Sequence, residues 1–246
     1  MSGEDGASAP GVSTIDFSPS AEAPTARDRN GQIPLVKRIV AAAEHLYQPR
    51  PMLNDRSSIL SFLETRRSAK PRELVGPGPT AEEMQRIVAI AARVPEHGQL
   101  FPWRFVTVAD DQRDSLGALL RQALFEDDPC APLARHEKED AFAHYAGQLV
   151  VLISAPVPDH KIPVWEQELS CGAAGMNLLL AAHALGYVGS WVTGWRTYSE
   201  RVREAFCGPN ERIAGFFFLG QPSRTLEERQ RADLGSVSRP WDPPSP

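Results

Sequence analysis

The stretch PVWEQELSCGAAGMNLLLAAHALG, Pro163–Gly186, followed directly by YVGSWV, decides the fold. It is apolar on nearly every side, which predicts a long buried helix rather than a surface one. Proline suits its first turn and glycine suits the position just past its end. Every residue from Ser170 to Gly175 is small, so another backbone can approach there, that of a second subunit included. YVGSWV then reads as a short strand.

On either side the periodicity keeps changing. QLVVLISAP (Gln148–Pro156) and RIAGFFFLGQP, ending at Gly220, read as buried strands, as does WRFVTVA (Trp103–Ala109). SSILSFLETRRS reads as a helix with Ile59, Leu60 and Leu63 on one face. Thr80 and Glu83 form a T-x-x-E capping box ahead of a stripe of Met84, Ile87, Val88 and Ala91. DSLGALLRQALF repeats the helical period through Leu116, Leu119, Leu120 and Ala123. SERVREAFCGP is a further helix with Ser199 as its cap. Helices and strands mix without βαβ alternation, so the expected class is α+β, a sheet flanked by helices.

Residues 1–31 are rich in Ser, Ala, Pro, Gly and acids and predict a disordered tail. A helical extension over 32–55 follows, carried by the amphipathic segment Ile33–Gln48, and the main domain is expected over 56–246. The start of the chain has neither the basic nor the apolar part of a secretory signal, and no apolar run approaches the roughly 20 residues that span a bilayer. A net charge of −5 gives no reason to expect nucleic acid or an anionic membrane as partner. Cys130, Cys171 and Cys207 are too widely spaced for a metal or redox pair and suit a reducing cytoplasm.

Familiar chemistry is absent from the text of the chain. No G-x-G-x-x-G follows a strand, and no Walker A loop, H-E-x-x-H or G-x-S-x-G occurs. His45, His97, His136, His144, His160 and His183 lack zinc-like spacing, so no metal site is expected. Hard chemistry would then belong to a bound cofactor. Three stretches could hold one. Arg66-Arg67-Ser68 either complements a helix dipole or clamps an anion. Arg93 ends the helix that Thr80 opens, and His97 and Gln99 follow in PEHGQLFPW, a stiff loop entering a buried strand, where polar groups are held still. GYVGSWVTGW offers glycines beside Trp191, either as a tight turn over a core tryptophan or as a platform for a flat ring.

Together, RRSAK, RVPEHGQLFPWRF, WEQELSCGAAGMNLLLAAHALGYVGSWVTG and IAGFFFLGQP resemble the flavin-dependent nitroreductase family, its small bacterial NAD(P)H subgroup above all. The likeness runs from about Ser57 to Pro222. It implies a three-layer fold with a mostly antiparallel sheet, and a homodimer binding flavin mononucleotide (FMN) at its interface. It further implies ping-pong reduction of nitro or quinone-like acceptors by NAD(P)H.

By position, the resemblance gives Arg66, Arg67, Ser68, Arg93, His97 and Gln99 to the flavin, with Trp191, Val192 and Thr193 along it. Arg229 and Arg231 would grip its phosphate. Ala181, Ala182, His183, Ala184, Leu185 and Gly186 match a segment assigned to nicotinamide nucleotide. No general acid or base is nominated, because such a site has mainly to hold the ring and stabilise charge on its N1/O2 edge. Phe101 departs from the family, standing where many members carry a hydrogen-bonding side chain. A flavin-binding protein without turnover, another flavin chemistry under a lid drawn from Ala109–Ala146, and a bare dimerisation domain are the rival readings.

Overall fold

The computed structural model describes residues 52–242 and 244. The expected tail and the helix over Ile33–Gln48 lie outside the described residues. The compact unit of the main domain begins at Pro51. Asn54 pins that start: its Nδ2 donates to Arg67 O at 3.0 Å and its Oδ1 accepts from Arg67 N at 2.7 Å.

Seven α-helices and five strands follow among the described residues. They are α1 (Ile59–Thr65), β1 (Leu74–Val75), α2 (Ala81–Ala91), β2 (Trp103–Val108), α3 (Arg113–Asp127), α4 (Leu133–Ala143), β3 (Gln148–Ser154), α5 (Val164–Ala184), β4 (Val188–Val192), α6 (Glu200–Phe206), β5 (Arg212–Pro222) and α7 (Leu234–Val237). β5 is the hub. It pairs antiparallel with β3, β4 and, at its far end, β1, while β2 closes the sheet on the outer side of β3. β1 has two residues and was not legible beforehand. Its pairing carries β5 on to Pro222, past the expected stop at Gly220.

The period of two along each strand divides the core into two halves. Leu149, Val151 and Ile153 of β3 join Phe216 and Phe218 of β5 under α3 and α4. Val150 and Leu152 join Phe217 and Leu219 under α2 and α5. Both faces are covered, which is why these strands read as continuous apolar runs. Each fully buried Leu, Ile or Phe here contributes roughly 1.5–3 kcal/mol. A one-residue slip of β5 would exchange every side chain between the two halves. The result is three layers, in agreement with the α+β expectation. The Ala109–Ala146 segment forms α3 and α4, whose Leu116, Leu120, Ala123 and Phe142 lie in the core, so it is a layer rather than a detached lid.

Helix ends follow local chemistry. Thr80 Oγ1 accepts from Glu83 N while Glu83 returns a bond to Thr80 N, as the capping box predicts. α5 ends in a Schellman motif: Tyr187 N donates to Ala182 O at 3.0 Å and Gly186 N to His183 O at 2.9 Å, with Gly186 at φ 98°. Pro163 takes the N-cap rather than the first turn. Ser199 occupies the N-cap of α6 but makes no capping bond with its side chain.

Two helices are less buried than their patterns implied. α1 has no buried residue, and Ile59 and Leu60 are 80% and 70% exposed. α5 buries one face only, for Trp165 and Leu169 stand in solvent and a Cβ on Gly172 would meet nothing within 4 Å. Gly175, by contrast, faces the sheet, where a Cβ would come 2.9 Å from Leu152 Cδ2. Among the described residues no helix is long and apolar enough to cross a membrane.

Candidate cofactor site

α1 stops at Thr65, and Arg66 already has extended backbone. Arg66 is therefore the C-cap residue and Arg67 follows it, with neither in the last turn of the helix. From there the chain is laced to the segment after β5. Ser223 N donates to Glu73 O at 2.8 Å, Arg67 Nε to Glu227 O at 2.7 Å, and Arg231 Nη2 to Arg66 O at 3.2 Å. Arg66 Nη1 donates to Ser68 Oγ at 3.2 Å.

Arg66, Arg67, Ser68, Arg229 and Arg231, expected from two ends of the sequence, thus gather at one place. Burial, then the charges of Arg231, Arg67 and Arg229, pull the Arg66 guanidinium below its ordinary pKa, with Glu228 acting the other way. Glu228 pairs with Arg231 at 2.8 Å. Among the described residues, Arg66, Arg67 and Arg229 have no carboxylate within ion-pair distance. Guanidiniums crowded in this way favour a bound anion, and their donor geometry matches the oxygens of a phosphate.

The PEHGQLFPW loop is rigid, as its composition predicts. Gly98, Gln99 and Phe101 all have left-handed backbone, at φ 88°, 57° and 50°. A Cβ on Gly98 would stand 2.4 Å from Ile162 Cδ1. Glu96 Oε1 accepts from Leu100 N at 2.7 Å. His97 and Gln99 are exposed, and Phe101 is 64% exposed with its ring edge-on to Trp103. Arg93 is also exposed, its carbonyl accepting from Asn177 Nδ2 at 3.3 Å. No hydrogen bond or ion pair joins this loop to the arginine cluster among the described residues.

Trp191 lies on Phe217 with ring centroids 4.9 Å apart and donates from Nε1 to Ala214 O at 3.0 Å. Half-buried Val192 ends that strand and exposed Thr193 follows it. Ala181–Gly186 sits differently from the other candidates. Ala181, Ala182 and His183 are buried, Leu185 and Gly186 are half-buried, and Ala184 alone is exposed, so a nucleotide has little access to this segment. Packing and the Schellman turn account for the pattern. His183, 1% exposed, accepts from Gly189 N through Nε2 at 2.7 Å, and its Nδ1 has no partner. Burial, aided by the charge of Arg66, pushes its pKa down to about 4.

Four residues at the site were not singled out by sequence reasoning. Glu166 pairs with His97 at 3.0 Å, Asn177 holds the end of α2 through Ile90 O and Arg93 O, Asn54 fixes the Arg67 backbone and Glu228 faces the arginines. All but Glu228 pair across large separations, so no local spacing reveals them. No group of residues suited to a metal ion occurs among the described residues.

The three-layer fold and an arginine cluster suited to an anion define an α+β protein with a phosphate-binding corner, and the comparisons give its family. The Nitroreductase family model matches residues 63–221. The chain is 38% identical over 168 residues to YdjA of Escherichia coli (strain K12), named as an NAD(P)H nitroreductase, covering 66% of this chain and 87% of that protein. It is 34% identical over 176 residues to a similarly named protein of Haemophilus influenzae, covering 70% and 92%. Among solved structures, a nitroreductase-like protein from Bacillus cereus superposes with a TM-score of 0.66 at 18% identity, covering 74% of this chain and 95% of that one. An NADPH:FMN oxidoreductase from Vibrio harveyi complexed with NAD+ does so with 0.55 at 20% identity, covering 71% and 73%. The chain belongs to the nitroreductase family and is an oxidoreductase.

Proposed function

We propose that this protein is a homodimeric FMN enzyme that takes hydride from NAD(P)H and passes it to nitro or quinone-like acceptors in ping-pong fashion. The observation that carries the reading is the arginine cluster. Arg67, Arg229 and Arg231 converge from opposite ends of the domain around Arg66, which itself donates to Ser68, with one paired carboxylate, Glu228, among them. That donor set fits the phosphate of FMN. Bound FMN would supply the redox chemistry, accepting hydride from one substrate and delivering it to the next. The polypeptide's part is to hold it: the arginines and Ser68 at the phosphate, and the His97–Gln99 loop and Trp191–Thr193 strand end along the rest.

Dimerisation is supported by the uncovered apolar faces of α1 (Ile59, Leu60, Leu63) and α5 (Trp165, Leu169), with Gly172 leaving room for a close approach. Three free thiols, Cys130, Cys171 and Cys207, suit the cytoplasm.

Purified protein is expected to be yellow, with about one FMN per subunit, and to bleach when NADH or NADPH is added without oxygen. A colourless protein that ignores added FMN would sink the reading. Flavin that binds but never bleaches would leave a carrier in place of an enzyme.

A further inference from the structure

Glu166 stands in the first turn of α5, where the helix dipole favours a carboxylate. Its Oε2 lies 3.0 Å from His97 Nδ1, across 69 residues of sequence. Both side chains line one groove with Pro95, Leu169 and Ser170. The backbone around His97 is already set by left-handed Gly98, Gln99 and Phe101 and by the Glu96–Leu100 bond. At the two non-glycine residues, Gln99 and Phe101, such backbone costs on the order of 1–3 kcal/mol each and persists only where its surroundings enforce it. The imidazole ring, in contrast, has a single hydrogen-bond tether among the described residues, Glu166.

An ionised carboxylate only accepts hydrogen bonds, so the nitrogen facing it carries the proton. Nδ1–H therefore points at Glu166, and Nε2 is left as the free ring nitrogen. We propose that Glu166 is a positioning residue for the cofactor. It holds the orientation and tautomer of the His97 ring so that Nε2 meets FMN in one defined state. The assignment rests on the FMN reading above and extends it to a residue to which the resemblance gives no role.

The test uses full-length protein stripped of flavin. FMN affinity is measured by quenching of flavin fluorescence for the wild type, Glu166→Gln, His97→Ala and the double variant. Glu166→Gln preserves shape and removes charge. It should weaken FMN about threefold to tenfold, within the range for an exposed pair or a supporting contact, with the melting temperature of the flavin-free protein unchanged. In the His97→Ala background the same change should have no further effect. Nitrogen-15 NMR of the His97 ring should show one Nδ1–H tautomer in the wild type and a mixture in Glu166→Gln. Unchanged FMN affinity in Glu166→Gln would overturn the proposal, and so would an equal loss in the His97→Ala background. A wild type that binds no FMN would instead defeat the parent reading, which the tautomer measurement does not depend on.

Discussion

Arg66 and Arg196 make an instructive pair. Both are partly withdrawn from water, and burial is the first cause lowering the pKa of each. Their neighbours differ. Arg196 packs its guanidinium 3.7 Å from the centroid of the Phe142 ring and pairs with the buried carboxylate of Glu139. Arg66 has three other arginines around it and no carboxylate of its own. A compensated buried cation locks a fold, whereas a crowded uncompensated one requires something from outside. The same residue type is structural in one place and functional in the other, and only its surroundings separate the two.

The largest expected effect comes from removing that compensation. Glu139→Ala would strand Arg196 in the core and should destabilise the fold by about 3–5 kcal/mol in urea unfolding. A loss under about 1 kcal/mol would mean that water reaches Arg196, and the contrast with Arg66 would narrow.

Second is His183, which lies behind the arginine cluster. Its folded pKa of about 4 is below the ordinary 6.5. Between these values the unfolded chain binds a proton that the folded chain refuses. Stability should therefore be full above pH 6.5 and fall as pH drops toward 4, by about 3 kcal/mol in total. His183→Gln should remove that part of the slope. Unfolding midpoints of the two proteins, compared at pH 7 and pH 4.5, measure it.

Third, Arg67→Ala should weaken FMN roughly tenfold or more, the effect of one lost charged hydrogen bond, while costing the flavin-free protein only about 1 kcal/mol for its exposed bond to Glu227 O. If stability falls further than that and FMN affinity holds, Arg67 belongs with Arg196 on the structural side. The smallest effect is expected at the exposed Arg121–Asp140 pair, where Arg121→Ala should stay within about 0.5 kcal/mol in the same urea experiment.

Much of the fold was legible because period and punctuation are local. The strands at Trp103, Gln148, Val188 and Arg212 and the capped helix after Thr80 all follow from spacing within a few residues. β1 escaped notice because two residues carry no period, and the partner that makes it a strand lies near Pro222. At the site, RRSAK and RQRADL could each be read as basic, but their convergence depends on Arg231 reaching the Arg66 carbonyl across 165 residues. The Ala181–Gly186 segment shows the opposite limit. Its sequence lies between a helix end and a strand, yet its burial follows from which face of α5 meets the sheet.

By itself, then, the sequence determined most of the elements, the two-sided burial of the sheet and the family, because each depends on patterns a few residues long. The tertiary structure decided which charges would meet, that α1 and one face of α5 stay uncovered, and that Glu166 holds His97. Those outcomes depend on distances between residues far apart in the chain, and chain spacing carries no record of them until the sheet has set its register.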